Sequence, residues 1–252
     1  MAGKRVIVTG GTRGLGRAIS EAVLREGASV VMNYTSRAET AEQALSELRG
    51  MYTAKAAVIK ADVADETQVT ALFDEAEAEL GGGIDILINN AGICPVTMIL
   101  DTPYELWREV VDVNLNAIFL TSKEFVKRRI GLGGGGRITN IVSQAAFNGS
   151  KRGKTHYSAT KGAAVSFTIS FAKEVARYGV LVNAIAPGMM FTDMNREVLM
   201  ADGEVEKYNA SIPVGRIAEV AEVADSVLFI SSDVTSYCTG SIFDVSGGMM
   251  SR

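Results

Sequence analysis

Cysteine and histidine are almost missing from this chain. Its 252 residues hold two cysteines, Cys94 and Cys238, and one histidine, His156. Two distant cysteines exclude a disulfide scaffold and fit a reducing compartment, so a cytoplasmic protein is expected. Neither cysteine has metal-like spacing, and a lone histidine makes no metal site; no metal is expected, and His156 reads as local structure. No apolar run reaches the roughly 18 residues that would suggest a membrane span. The start, "MAGKRVIVTGG", enters a strand directly and shows no secretory apolar core. Excess positive charge is also missing: 25 Lys and Arg face 29 Asp and Glu, a formal charge of -4. Neither a nucleic-acid groove nor an anionic membrane surface is expected. What the chain does have is apolar residues, 47% of the total, and 26 glycines grouped at predicted turns. That is enough for one sizeable core, and a single domain over residues 1–252 is expected.

The apolar pattern alternates between short strand-like runs and helical spacing. "RVIVT" (5–9), "SVVMNY" (29–34), "AAVIKADV" (56–63), "IDILINNAG" (84–92), "RITNIVS" (137–143), "VLVNAIAPG" (180–188) and a final piece in "GSIFDVSGG" read as seven strands. Helices fill the gaps, including long ones over about 104–129 and 156–178. This predicts an α/β fold, a parallel sheet with helices on both faces. The segment at about 189–215 reads as a lid-like excursion. In such sheets, ligands bind beyond the carboxyl ends of the strands.

The first strand runs into "GGTRGLG", Gly10 to Gly16, and a helix follows. Glycines in that context suit a dinucleotide loop: the turn needs positive φ, and the helix N-terminus offers N–H groups to a diphosphate. The candidate contacts are Gly10, Thr12, Arg13, Gly14, Leu15 and Gly16. No Gly-Lys-Ser/Thr follows, so this is not a nucleoside-triphosphate loop. The second strand ends in "NYTSR", Asn33 to Arg37, with no acid to bind the ribose hydroxyls of NAD. Arg13 and Arg37 can pair with a 2′-phosphate, with Asn33 at the strand end as a further candidate cofactor contact, so NADP(H) is the expected cofactor; alternatively, Arg37 faces solvent at the start of the next helix. Asp62, with Val63 beside it, can meet the adenine amino group or cap a turn. Asn89 and Asn90 stand where a loop is stitched or a ligand met.

"YSATK" opens the helix over 156–178, with Tyr157 and Lys161 at i and i+4 and so on one face. A phenol ionises near 10 in water, and an adjacent ammonium would lower that value. Such a tyrosine can give a proton to a forming alkoxide or take one from an alcohol. Ser143 ends a strand fourteen residues earlier and can bond the same oxygen. Asn114, inside the helix over 104–129, either distorts it and holds a water or faces solvent. Lys151, Arg152 and Lys154 form a small basic patch that meets an anionic substrate or is a solvated face.

With these residues in hand, the chain resembles the short-chain dehydrogenase/reductase family over nearly its whole length. "TGGTRGLG" (Thr9 to Gly16), "NNAG" (Asn89 to Gly92), Asn114, Ser143, "YSATK" (Tyr157 to Lys161) and Pro187–Gly188 carry the match. The resemblance implies a Rossmann fold and a catalytic set of Asn114, Ser143, Tyr157 and Lys161. Tyr157 would be the acid/base, Lys161 would bind the nicotinamide ribose, Ser143 would orient the substrate oxygen, and Asn114 would hold a relay water. It also implies cofactor contacts at Asn90, Ala91, Gly92, Pro187, Gly188 and Thr192. Within the family, "VNAIAPGMMFTDM", "IPVGR" and "GSIFDVSGGM" are similar to bacterial 3-oxoacyl-[acyl-carrier-protein] reductases. That branch implies fatty-acid biosynthesis, an acyl-thioester substrate, an acyl-carrier protein met near Arg128 and Arg129, and a homotetramer paired through the two long helices. The Ser143-to-Tyr157 interval is one residue longer than usual there, and "GSKRGKTH" departs from the branch's loop. Sugar and polyol dehydrogenases share the broader pattern.

Overall fold

The structure is a computed structural model and describes residues 1–150, 153–192, 196–200 and 204–250. In chain order it runs β1 (Arg5–Val8), α1 (Gly14–Arg25), β2 (Ser29–Tyr34), α2 (Ala38–Met51), β3 (Ala56–Lys60), α3 (Glu66–Leu80) and β4 (Ile86–Asn89). Then come α4 (Tyr104–Val111), α5 (Ala117–Gly131), β5 (Gly136–Ile141), a short α6 (Ala145–Asn148), α7 (Thr155–Val175) and β6 (Val180–Pro187). β7 (Met190–Phe191), α8 (Arg196–Met200), α9 (Glu204–Ser211), β8 (Ala218–Glu219), α10 (Val220–Ser231) and β9 (Ile242–Val245) complete it.

Seven strands form one sheet in the order β3-β2-β1-β4-β5-β6-β9, and every neighbouring pair is parallel. The order reverses between β1 and β4, which opens a crevice at the carboxyl ends of those strands. Strand residues alternate between two cores. Val6, Val8, Val30 and Met32 pack toward Ile19, Val23 and Val227 of α1 and α10. Ile7, Val31 and Leu87 pack on the other side with Phe73 of α3, Phe125 of α5 and Ala172 of α7. The sheet is therefore covered on both faces, as near-continuous apolar strands require.

Two features differ from the sequence reading. The helix expected over 104–129 is interrupted: residues Asp112–Asn116 form a π-helical turn between α4 and α5. The cause is Asn114, which is fully buried and turns its amide inward. A wider turn is what such an inward amide needs, and π-bulges recur at functional sites. The excursion after β6 contains a small second sheet, β7 paired in parallel with β8. It also forms a satellite core of Leu199, Ile212 and Ile217. Parts of that lid-like segment (193–195 and 201–203) lie outside the described residues, as do Lys151 and Arg152 of the basic patch.

Candidate active site

A cleft of about 1250 Å³ opens over the carboxyl ends of β1, β2, β3 and β4. Gly10, Thr12, Arg13, Gly14, Leu15 and Gly16 line one wall. Glycine is required there for two separate reasons. Gly10 and Gly14 hold positive φ, at 60° and 51°. At Gly16 the reason is space: a Cβ would lie 2.1 Å from the Gly10 carbonyl oxygen. α1 begins at Gly14 with no side-chain cap and no acid in its first turn. Its first amides have no partner inside the helix, so they can bind an anion.

The far end of the cleft is lined by Tyr34, Thr35, Ser36, Arg37, Thr40, Asp62 and Val63. Arg37 is the only described non-glycine residue at positive φ, 62°, and it forms the N-cap of α2. Asp62 accepts a bond from Ala64 N at 2.9 Å, so it caps its own turn while lining the cleft. Asn33 does not line the cleft. Only 1% of it is exposed; its Nδ2 donates to Ala61 O at 2.9 Å and its Oδ1 accepts from Gly10 N at 3.4 Å. It ties the ends of β1, β2 and β3 together, because its side chain points inward one residue before the strand exits. The polar residues facing the cavity are instead Tyr34, Thr35 and Ser36. The "NYTSR" composition contained them, but the strand's end point decided which residue turned outward.

Asn90, Ala91 and Gly92 continue the cleft wall from β4. Asn90 Nδ2 donates to Thr9 O at 2.9 Å and Gly10 O at 3.1 Å, which fixes the glycine turn. Asn89 is buried and bonded to Thr121, Ser122 and Asn140, so it stitches α5 to the sheet. Ile93, Glu105, Arg108, Glu109, Asp112 and Val113 also line the cavity. None of these was singled out in sequence: Ile93 lies in the irregular stretch after β4, and the others lie in the helix over 104–129, where Asn114 stood out. Thr192 reaches the cleft, whereas Pro187 and Gly188 end β6 just behind it, with Gln144 N donating to Pro187 O at 3.0 Å.

Gly92 joins this cavity to the catalytic candidates. A Cβ at Gly92 would sit 3.2 Å from Asn114 Oδ1 and 3.6 Å from Lys161 Nζ. Asn114 Oδ1 accepts from Ile93 N at 2.8 Å, and its Nδ2 donates to Ile93 O at 2.9 Å and Thr160 Oγ1 at 3.2 Å. Its side chain thus clamps the loop after β4 onto α7. The Ser143 hydroxyl acts on the Tyr157 phenol and favours its ionised form, while its Oγ accepts from Ala145 N at 3.1 Å. Lys161 is 3% exposed and donates to Ile141 O at 2.7 Å. Its Nζ lies 5.7 Å from the Tyr157 ring centre. His156 is buried, and its Nδ1 accepts from Tyr157 N at 2.7 Å, a local bond that holds the start of α7.

The electrostatics depart from the simple expectation of an ammonium lowering a phenol. Burial pushes Tyr157 up to about 12, opposed by the Ser143 hydroxyl. Burial also pushes Lys161 down to about 8. The lysine spends its shortest bond on a backbone carbonyl, so its charge does not act chiefly on the phenol. Tyr157 is consequently a neutral phenol at pH 7. The arginine pair also differs from expectation. Arg128 binds Glu124, Glu77 and Asp74 at 2.7, 2.9 and 2.7 Å, and Arg129 binds Asp85 and the Gly134 and Gly135 carbonyls. Both are engaged within the fold.

A dinucleotide fits this site on the structure's own terms: a glycine cradle that a Cβ would fill, an uncapped helix start, and a cavity that runs from Arg37 to Gly92. Among the described residues, no group of three or more His, Cys, Asp or Glu is placed to hold a metal, and no helix is long and apolar enough to cross a membrane.

Comparison with known proteins agrees with this geometry. A family model described as "Enoyl-(Acyl carrier protein) reductase" matches residues 10–250. The chain is 40% identical over 247 residues to the 3-oxoacyl-[acyl-carrier-protein] reductase FabG of Aquifex aeolicus, covering 98% of this chain and 97% of that one. It is 37% identical over 248 residues to an L-rhamnose 1-dehydrogenase (NAD(P)(+)) of Azotobacter vinelandii, covering 98% and 96%. A short-chain dehydrogenase/reductase from Serratia marcescens superposes with a TM-score of 0.91 at 29% identity, covering 99% of both chains. The glycine cradle, the buried Lys161 beside Tyr157 and the full-length match lead to one conclusion: this chain belongs to the short-chain dehydrogenase/reductase family and is an NAD(P)-dependent oxidoreductase acting on a carbonyl or alcohol substrate.

Proposed function

We propose that the protein is an NADPH-dependent carbonyl reductase whose substrate is a 3-oxoacyl thioester. The observation that carries the proposal is the neutral Tyr157 phenol beside Lys161, where Gly92 joins the cofactor cleft to that lysine. A reduced nicotinamide, when bound, supplies the hydride. Tyr157 gives its proton to the carbonyl oxygen as charge develops there, and Ser143 donates a hydrogen bond to the same oxygen. Lys161 holds the ribose and returns the phenol to its protonated form. Asn114 is a positioning residue that keeps the loop after β4 against α7. The remaining cofactor contacts are Gly10 to Gly16, Asp62, Val63, Asn90, Ala91, Gly92 and Thr192.

NADP(H) is favoured over NAD(H) because the far end of the cleft presents Thr35, Ser36 and Arg37 with Arg13 nearby, and no acid ends β2. A guanidinium pairs with a 2′-phosphate in a bidentate manner that a ribose hydroxyl cannot match. The thioester reading is supported by the similarity to the Aquifex aeolicus reductase and by the "IPVGR" and "GSIFDVSGGM" stretches. A second reading, a sugar, polyol or secondary-alcohol dehydrogenase, is favoured by the comparable similarity to the L-rhamnose 1-dehydrogenase. Pairing of subunits through α5 and α7 into a homotetramer is part of the proposal; Phe119 and Ile169 expose apolar surface on those helices. A cytoplasmic location follows from the same reading.

The test is a screen of acetoacetyl thioesters against polyols, each with both cofactors, on the wild type and on Arg37→Ala. The proposal expects thioester reduction with NADPH, and a KM for NADPH raised roughly tenfold or more in the variant, with NADH unaffected. Equal use of NADH, or oxidation of polyols with no thioester turnover, would overturn it.

A further inference from the structure

The loop that precedes the catalytic tyrosine is unusually basic. No acid occurs between Glu124 and Glu174, a stretch that contains Lys151, Arg152, Lys154 and Lys161. Lys154 is the N-cap of α7, three residues before Tyr157, and Ser158 N donates to its carbonyl at 2.9 Å. Three residues of helix advance about 4.5 Å, so the Lys154 backbone lies within one turn of the Tyr157 backbone.

The position of Lys154 is fixed by packing. Gly153 has φ at +65°, and a Cβ there would meet the Thr97 backbone at 2.9–3.1 Å. Gly153 O accepts from Thr97 N at 2.9 Å. The loop after β4 and the loop before α7 are therefore fastened together, and Cys94 sits three residues before that fastening. Burial raises the Cys94 thiol, and the Lys154 and Lys161 ammonium charges oppose it, so both ammonium groups stand within electrostatic reach of Cys94. Lys154 has no ion-pair partner among the described residues, and the first turn of α7 contains no acid. Contrast Arg128, which is surrounded by three carboxylates. A surface lysine with a structural task would be expected to have such a partner.

We infer that Lys154 is a specificity-determining residue that binds an anionic group, carboxylate or phosphate, on the carbonyl substrate. This rests on Tyr157 being the reacting centre, and it does not depend on the substrate being a thioester. The anion has two sources: the carboxylate of a free oxo acid close to the reacting carbon, or a phosphate on the pantetheine arm of a thioester.

The experiment compares kcat/KM for anionic and neutral carbonyls on the wild type, Lys154→Gln and Lys154→Arg. The anionic arms are acetoacetate and acetoacetyl-coenzyme A, and the neutral arm is the N-acetylcysteamine thioester of acetoacetate. Gluconate against sorbitol, with NADP+, reads the same ratio in the oxidative direction. The inference expects the anionic-to-neutral ratio to fall roughly tenfold or more in Lys154→Gln, through KM for the anionic substrate, and to be largely kept in Lys154→Arg. Added salt should lower the wild-type ratio and leave the Lys154→Gln ratio flat. A fall confined to acetoacetate assigns the carboxylate, and a fall confined to the coenzyme A thioester assigns the phosphate. A ratio unchanged in every arm, or a fall shared by the neutral substrate, overturns the inference. Loss of thioester turnover alone would sink the thioester reading, while the gluconate-to-sorbitol ratio would still judge Lys154.

Discussion

Raising the pH from 7 to 9.5 should stabilise the wild-type protein relative to a Lys161→Met variant by about 2 kcal/mol. The reasoning starts from a charged group placed where water cannot reach it. Lys161 is 3% exposed, and burial lowers its pKa from 10.5 to about 8. In the unfolded chain the same amine ionises near 10.5. Below pH 8 both states hold the proton, and the folded state carries the full penalty of a buried ammonium. Between about 8 and 10.5 the folded chain has released a proton that the unfolded chain still binds, so stability rises with pH across that window. Each tenfold change in proton activity across that window is worth about 1.4 kcal/mol, and nearly one and a half such changes have taken effect by pH 9.5, about 2 kcal/mol. Methionine removes the titration altogether. It also leaves Ile141 O without its donor, which lowers absolute stability equally at every pH and cancels from the comparison. The assay is urea unfolding of both proteins without cofactor at several pH values, with the difference in unfolding free energy plotted against pH. A flat difference would refute the buried-ammonium account, and so would one that declines with pH.

Other predictions follow from contacts already described. Gly16→Ala should abolish dinucleotide binding, measured by cofactor fluorescence, because its Cβ would lie 2.1 Å from a backbone oxygen that Asn90 also holds. Overpacking of that kind also costs about 1–3 kcal/mol or more of stability, readable in a thermal melt. Arg128→Ala should lower stability by about 1–3 kcal/mol, since it takes the guanidinium away from the partly buried Glu77 and Glu124, while Asp74 is exposed and remains solvated. KM for an acyl-thioester substrate should be unchanged in that variant, whereas a carrier-docking arginine would show the reverse pattern.

Much of the fold was legible because the physics is local. Seven apolar runs of strand length, each followed by helical spacing, leave few arrangements other than a covered parallel sheet, and its order places Gly10 to Gly16 beside Asn90. The glycine turn was legible for the same reason: positive φ and close approach leave residue choice little freedom. What was not legible depends on direction rather than composition. Whether Asn33 or Tyr34 faces the cleft turns on where β2 ends, by one residue. The π turn at Asp112–Asn116 arises because Asn114 finds partners on Ile93 and Thr160, more than twenty and forty residues away. The Tyr157 and Lys161 ionisation departs from the sequence reading because i, i+4 spacing gives proximity but not burial, and burial is the largest influence on both groups. Arg128 and Arg129 read as an exposed basic pair, since their acidic partners come from α3, the start of β4 and one turn back on α5.

The most direct test is Tyr157→Phe, assayed for turnover and, separately, for binding of reduced cofactor. The ring is kept, so the fold and the cleft should be kept, and only the proton donor is lost. The account predicts unchanged cofactor affinity and a kcat lowered by roughly a hundredfold or more. Turnover that survives the substitution would mean that another group protonates the oxygen, and would contradict the role given to Tyr157.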